Sequence, residues 1–161
     1  MSFEFSQWRD DAAWQARLAR DSKAIEERLN DEQKTVLEEV GKSLGAGYEG
    51  DVLALTFMVI FGSYACGDQT AQSDLDIYFE AENLPEPFNR VDPARHYQVF
   101  GMPNGALADE LRQGREFGQG VVADALVVHD NGSFRRLLIF VDEAKTAQLW
   151  PCDGWLLPCS H

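Results

Sequence analysis

Asp74 and Asp76 are two carboxylates one residue apart in Asp74-Leu75-Asp76-Ile77-Tyr78-Phe79-Glu80, an otherwise largely apolar stretch. In strand geometry alternate side chains share a face, so the aspartates point one way while Leu75, Ile77 and Phe79 point into a core. Charges held on an apolar strand cost stability unless something cationic offsets them. A divalent metal is the usual offset. Hard oxygen ligands on neighbouring positions suit Mg²⁺, which takes one or two protein carboxylates and completes its shell with water and substrate phosphates. Upstream, an apolar run from Leu53 to Phe61 ends at Gly62-Ser63. Glycine permits positive φ and close approach of backbone to a ligand. A short helix starting at Tyr64-Ala65 would aim free backbone N–H groups at an anion, with the Ser63 hydroxyl as a further donor. The stretch Val59–Glu80 therefore offers a phosphate cradle beside a metal-binding pair.

Gly62-Ser63, ten residues and then Asp74-x-Asp76 resembles the signature of the DNA polymerase beta-type nucleotidyltransferase superfamily. The finer pattern, Gly-Ser-Tyr-Ala-x-Gly followed by Ser73-Asp74-Leu75-Asp76, most resembles its minimal nucleotidyltransferase branch. The match is specific within this motif and loose over residues 50–140. The resemblance implies Mg²⁺ as cofactor and a nucleoside triphosphate, ATP first, as substrate. Asp74 and Asp76 would be the metal-ligating and catalytic residues, and Gly62 and Ser63 would hold the triphosphate. The implied activity is transfer of a nucleoside monophosphate to a hydroxyl acceptor. This branch suggests a protein hydroxyl, as in bacterial toxin–antitoxin pairs where such a protein adenylylates a small helical partner.

Two departures from the pattern stand out. The branch usually has Arg where this chain has Cys66. Members that transfer nucleotides also carry a third carboxylate on the strand next to Asp-x-Asp, where it accepts the proton of the attacking hydroxyl. In His96-Tyr97-Gln98-Val99-Phe100 that position falls to Gln98, a neutral amide. Three accounts are open: a slipped alignment with Asp92, Asp109 or Asp124 serving; substitution by His96 or Glu80; or a domain that senses nucleotide or contacts a partner without transferring anything.

The elements that must position these groups read as follows. Residues 1–45 form an N-terminal helical arm. Trp8, Ala12, Leu18, Ile25 and Leu29 recur at helical intervals, and Asn30-Asp31-Glu32-Gln33 opens a second helix striped by Val36, Leu37, Val40 and Leu44. Residues 50–145 form the core. Within it Asn83–Pro93 is a proline-bearing loop, His96–Met102 a strand and ALADELRQG a helix with Gly114 at its C-terminus. A strand over Ala125–His129 ends at a turn signal that includes His129, and a final helix is capped by Ser133. Arg135-Arg136 on that helix reads as a solvated pair rather than a phosphate clamp. Residues 150–161 form a tail in which Cys152, Cys159 and His161 are three potential zinc ligands, against the plainer reading of a docked hydrophobic tail. The expected fold is one α/β (α+β) domain over residues 1–161, with a mixed sheet of about four strands and helices mainly on one face. The site would lie at the sheet's edge.

Composition bounds the partners. An apolar fraction of 45% and an aromatic fraction of 11% are globular values. A formal net charge of −13 disfavours nucleic acid as a partner, because that binding draws on clustered Lys and Arg. It does not exclude a nucleotide held through metal. The chain has neither a membrane-length apolar stretch nor the basic start of a secretory signal, and three cysteines without framework spacing fit a reducing cytoplasm.

Overall fold

The computed structural model describes residues 6–46 and 54–146. A 3-10 turn at Ser6–Arg9 leads into α1 (Asp11–Arg28) and α2 (Asp31–Ala46). Then follow β1 (Leu55–Phe61), α3 (Ser63–Cys66), β2 (Leu75–Ala81), β3 (Phe88–Asp92) and β4 (Tyr97–Pro103). The order closes with α4 (Ala106–Arg112), α5 (Glu116–Asp124), β5 (Leu126–Asp130) and α6 (Ser133–Thr146). The tail cysteines and His161 lie outside the described residues.

The chain is a mixed α/β protein, and its five strands form one sheet in the order β3-β4-β2-β1-β5 among the described residues. β2 runs parallel to β4, and every other neighbouring pair is antiparallel. β1, Leu-Thr-Phe-Met-Val-Ile-Phe, is apolar almost throughout because both its faces are covered. Met58 and Ile60 face one core with Ile77 and Phe79, closed over by Val36, Val40 and Leu44 of α2 and by Tyr64 and Ala65 of α3. Val59 and Tyr78 face the other, with Leu107 and Leu111 of α4, Val121 of α5, and Phe134 and Leu138 of α6. Thus α4, α5 and α6 share one face, and α2 and α3 cover the opposite one. α1 runs past β5 and contributes to both, Trp14 to one cluster and Ala24 and Ile25 to the other.

The fifth strand is β3, inside the stretch expected to be a loop. Its sequence, Phe-Asn-Arg-Val-Asp, has only its ends partly buried, as suits an edge strand, and so carries no strong hydrophobic alternation. Antiparallel pairing with β4 turns through residues 93–96, where Asp92 Oδ1 accepts from Arg95 N at 3.0 Å and His96 takes a positive φ of 53°. α2 opens as its sequence predicts: Asn30 Oδ1 accepts from Gln33 N, and Gln33 Oε1 accepts from Asn30 N. α6 is capped differently. The Asp130 carboxylate accepts from the N–H groups of Gly132, Phe134 and Arg135, while Ser133 is already helical. His129 belongs to β5, paired with Met58, rather than to the turn. No described helix is long and apolar enough to cross a membrane.

Candidate functional site

β1 ends with Phe61 opposite Asp76 of β2, so the serine corner and the acid pair are built at the same end of the two central strands. That is the end of the sheet, not one of its side edges. Gly62 leaves β1 at φ 76° and ψ −151°, a backbone conformation that L side chains rarely adopt. Space imposes the same choice. A Cβ on Gly62 would stand 2.5 Å from Asp76 Oδ2. The missing side chain is what lets the corner close against the carboxylate.

A helix of four residues has no stability of its own, so α3 depends on its neighbours. Arg28 at the end of α1 donates from Nη1 to the carbonyls of Tyr64 (3.0 Å) and Ala65 (2.6 Å), two of the groups a helix C-terminus leaves unpaired. Gln33 Nε2, beyond its part in capping α2, donates to the Tyr64 hydroxyl. Gly67 ends the helix in the left-handed region with its N–H on Ser63 O. The following loop closes on itself through Thr70 and Ser73, with Thr70 N donating to Ser73 Oγ at 2.8 Å. Ser63 is thereby held from behind by groups of α1 and α2.

Asp76 is half-buried on the face that also carries Tyr78 and Glu80. Burial first, and the charge of Asp74 second, push its carboxyl up to about 6. Asp74 is exposed just before β2, with its Oδ1 3.5 Å from His96 Nδ1. Among the described residues no hydrogen bond or ion pair engages the Asp76 carboxylate, the Ser63 hydroxyl or the Gln98 amide. A half-buried carboxylate that resists ionisation beside a second one fits a divalent cation chemically, because the cation offsets both costs. Among the described residues no group of three or more His, Cys, Asp or Glu side chains could hold an ion by itself. The pair therefore suits Mg²⁺ that arrives with polyphosphate oxygens, and two carboxylates are enough for that mode.

The register fixes the third position. Gln98 of β4 is the direct partner of Asp76 across the parallel β2–β4 ladder. The proposed substitutes are committed elsewhere. Glu80 is buried and accepts from the Tyr78 hydroxyl at 2.7 Å, Gly105 N at 2.8 Å and Leu107 N at 2.7 Å, which ties β2 to the start of α4. Asp92 closes the β3–β4 turn, and Asp109 pairs with Arg112 on α4 at 2.7 Å. Asp124 ends α5. His96 touches the acid pair, through Asp74.

Arg135 does not turn toward phosphates. Its Nε donates to Trp8 O at 2.8 Å and its guanidinium lies 2.6 Å from Asp11 Oδ1, which secures the N-terminal segment. Cys66, at the position where the resembled branch has Arg, ends α3 with its Sγ 3.9 Å from Asp124 Oδ2.

Sequence reasoning missed the supports of the corner, Arg28 and Tyr64, and also an aromatic group beside it. Phe61, Phe100 and Phe117 form a cluster with ring centroids 5.4–5.9 Å apart. Phe100 is two residues from Gln98 and so on its face by alternation, but nothing local pointed to Phe61 of β1 or Phe117 of α5. Compared with known proteins, the chain matches no family model, and no curated protein matches it in sequence.

Proposed function

We propose that the protein binds a magnesium-complexed nucleoside triphosphate at the Gly62-Ser63 corner and transfers its nucleoside monophosphate to a hydroxyl acceptor. The single observation carrying this reading is the closure of Gly62 onto the Asp76 carboxylate, which joins the serine corner to the acid pair. The motif's resemblance to the minimal nucleotidyltransferases supports it. In this reading the backbone after Gly62 and the Ser63 hydroxyl orient the β- and γ-phosphates. Asp74 and Asp76 would hold Mg²⁺, which would neutralise charge developing on the phosphoryl oxygens. The acceptor hydroxyl bonds to the α-phosphorus, pyrophosphate leaves, and the hydroxyl proton passes to solvent. Positioning supplies most of the acceleration.

The acceptor that best fits an acidic chain is a protein hydroxyl on a small helical partner. A polynucleotide would meet repulsion from the net charge of −13. ATP is the first nucleotide to test.

One observation favours a second reading. Gln98 stands beside Asp76 where a proton-accepting carboxylate would be needed, so the same site serves a nucleotide sensor or a partner-binding module that transfers nothing. α-Labelled ATP and Mg²⁺ incubated with the co-purified partner separate the two. Label on the partner, lost in Asp76→Asn, supports transfer. Mg-dependent ATP binding by calorimetry without label supports the module, and no binding at all sinks both.

A further inference from the structure

The ring cluster beside the acid pair has a form that the phosphate site alone does not require. Phe61 is the cross-strand partner of Asp76, and Phe100 lies two residues along β4 from Gln98, the other partner of Asp76. Both rings therefore stand on the sheet face that bears the carboxylate. Phe117, the second residue of α5, covers them from outside, 5.7 Å from Phe61 and 5.4 Å from Phe100, with Tyr78 at 6.0 Å. Yet Phe117 remains 40% exposed. Its place is set by packing of the backbone: a Cβ on the adjacent Gly118 would stand 2.7 Å from Glu110 Cβ of α4, so α5 approaches α4 too closely for any larger residue there.

A single exposed phenylalanine needs no explanation. This one is the outer ring of an edge-packed aromatic cluster whose inner rings flank the candidate phosphate site. Val91, half-exposed and paired with Gln98, extends the apolar surface on the same face. A ligand that reaches the acids through a divalent cation and also covers this surface is anionic at one end and flat and apolar at the other. A nucleotide has that form, and base–aromatic stacking tolerates any base because each has a π-face.

We infer that Phe117, backed by Phe61 and Phe100, is the stacking platform for the base of the nucleotide whose phosphates occupy the Gly62-Ser63 corner. This rests on the nucleotide-binding reading above.

Calorimetry on the full chain tests it with two probes, magnesium–ATP and magnesium–tripolyphosphate, which has the phosphates and no base. The parent protein binds ATP about tenfold more tightly than tripolyphosphate, the scale of one stacked base. Phe117→Ala removes that difference and leaves tripolyphosphate affinity unchanged, while Phe117→Trp restores it. Equal binding of both probes by the parent overturns the platform and leaves the phosphate site standing. So does unaltered ATP affinity in Phe117→Ala, or an equal loss for both probes in that variant. Failure of the parent to bind either probe overturns the platform together with the reading beneath it.

Discussion

At the scale of single residues, Asp76 carries an electrostatic cost that the fold accepts. Its carboxyl is pushed up to about 6 from an ordinary 3.8, so between those values the folded chain holds a proton that the unfolded chain releases. Stability from this group is therefore full below the unfolded value and is lost as pH rises through the folded one. Asp76→Asn removes the cost. Thermal unfolding should show the variant melting above the parent beyond pH 6, with the gap closing toward pH 3.8. A parent whose melting temperature is flat across that window would contradict the burial of this carboxylate. Gly62 makes the opposite case. Gly62→Ala places a methyl 2.5 Å from Asp76 Oδ2 at a φ of 76°. Positive φ in a residue with Cβ costs about 1–3 kcal/mol, so urea unfolding should register that loss and magnesium–ATP affinity should fall at least about tenfold.

At the scale of elements, α3 owes its place to residues far away in sequence. Removing the guanidinium in Arg28→Ala strips two carbonyls of a charged donor, each such bond contributing about 1.5–3 kcal/mol at most and less where half-exposed. Denaturant unfolding should show a loss of about 1–2 kcal/mol. Calorimetry should show weaker magnesium–ATP binding than that loss explains, because the corner is mispositioned in molecules that remain folded. Unchanged binding would mean that α3 is held without Arg28. This dependence was not legible in the chain. Gly62, Ser63, Asp74 and Asp76 announced themselves because their spacing is local, and Asn30 and Gln33 did so because a capping box is written in four consecutive residues. Arg28 meets Tyr64 and Ala65 at separations of 36 and 37 residues, where no periodicity carries information. β3 stayed hidden for a different reason. An exposed edge strand needs no apolar face, so its pattern matches that of a loop. Glu80 was readable as an acid on the site's face, yet its three donors come from Tyr78 and the start of α4, which only the tertiary fold brings to it.

At the scale of the molecule, α1 ties the two faces of the sheet together along its β5 side, and it does so with buried charge. Arg17 donates from Nη2 to Ala125 O at 2.8 Å, and Asp21 Oδ2 accepts from Val127 N at 3.0 Å, so the helix satisfies backbone groups at the start of an edge strand. Arg17 Nε lies 3.4 Å from Asp21 Oδ2, and its guanidinium stacks 5.0 Å from the Trp8 ring and 5.5 Å from that of Trp14. Burial lowers the pKa of Arg17, against the pull of Asp21. Both residues are buried, though neither was singled out in the sequence. Removing Arg17 leaves buried Asp21 with the exposed Arg20, at 3.7 Å, as its cationic partner among the described residues. Breaking a buried pair costs about 3–5 kcal/mol, whereas replacing both with apolar groups of similar size is far milder. Arg17→Met should thus destabilise the chain by about 3–5 kcal/mol in urea unfolding. The double variant Arg17→Met, Asp21→Leu should lose less than the sum of the two single changes, since residues in contact couple. Strict additivity would show that the two side chains act separately. In that case the sheet's β5 side would be closed by apolar packing of α1 alone, and the arm would be free to vary in charge without loosening the strands that end at the acid pair.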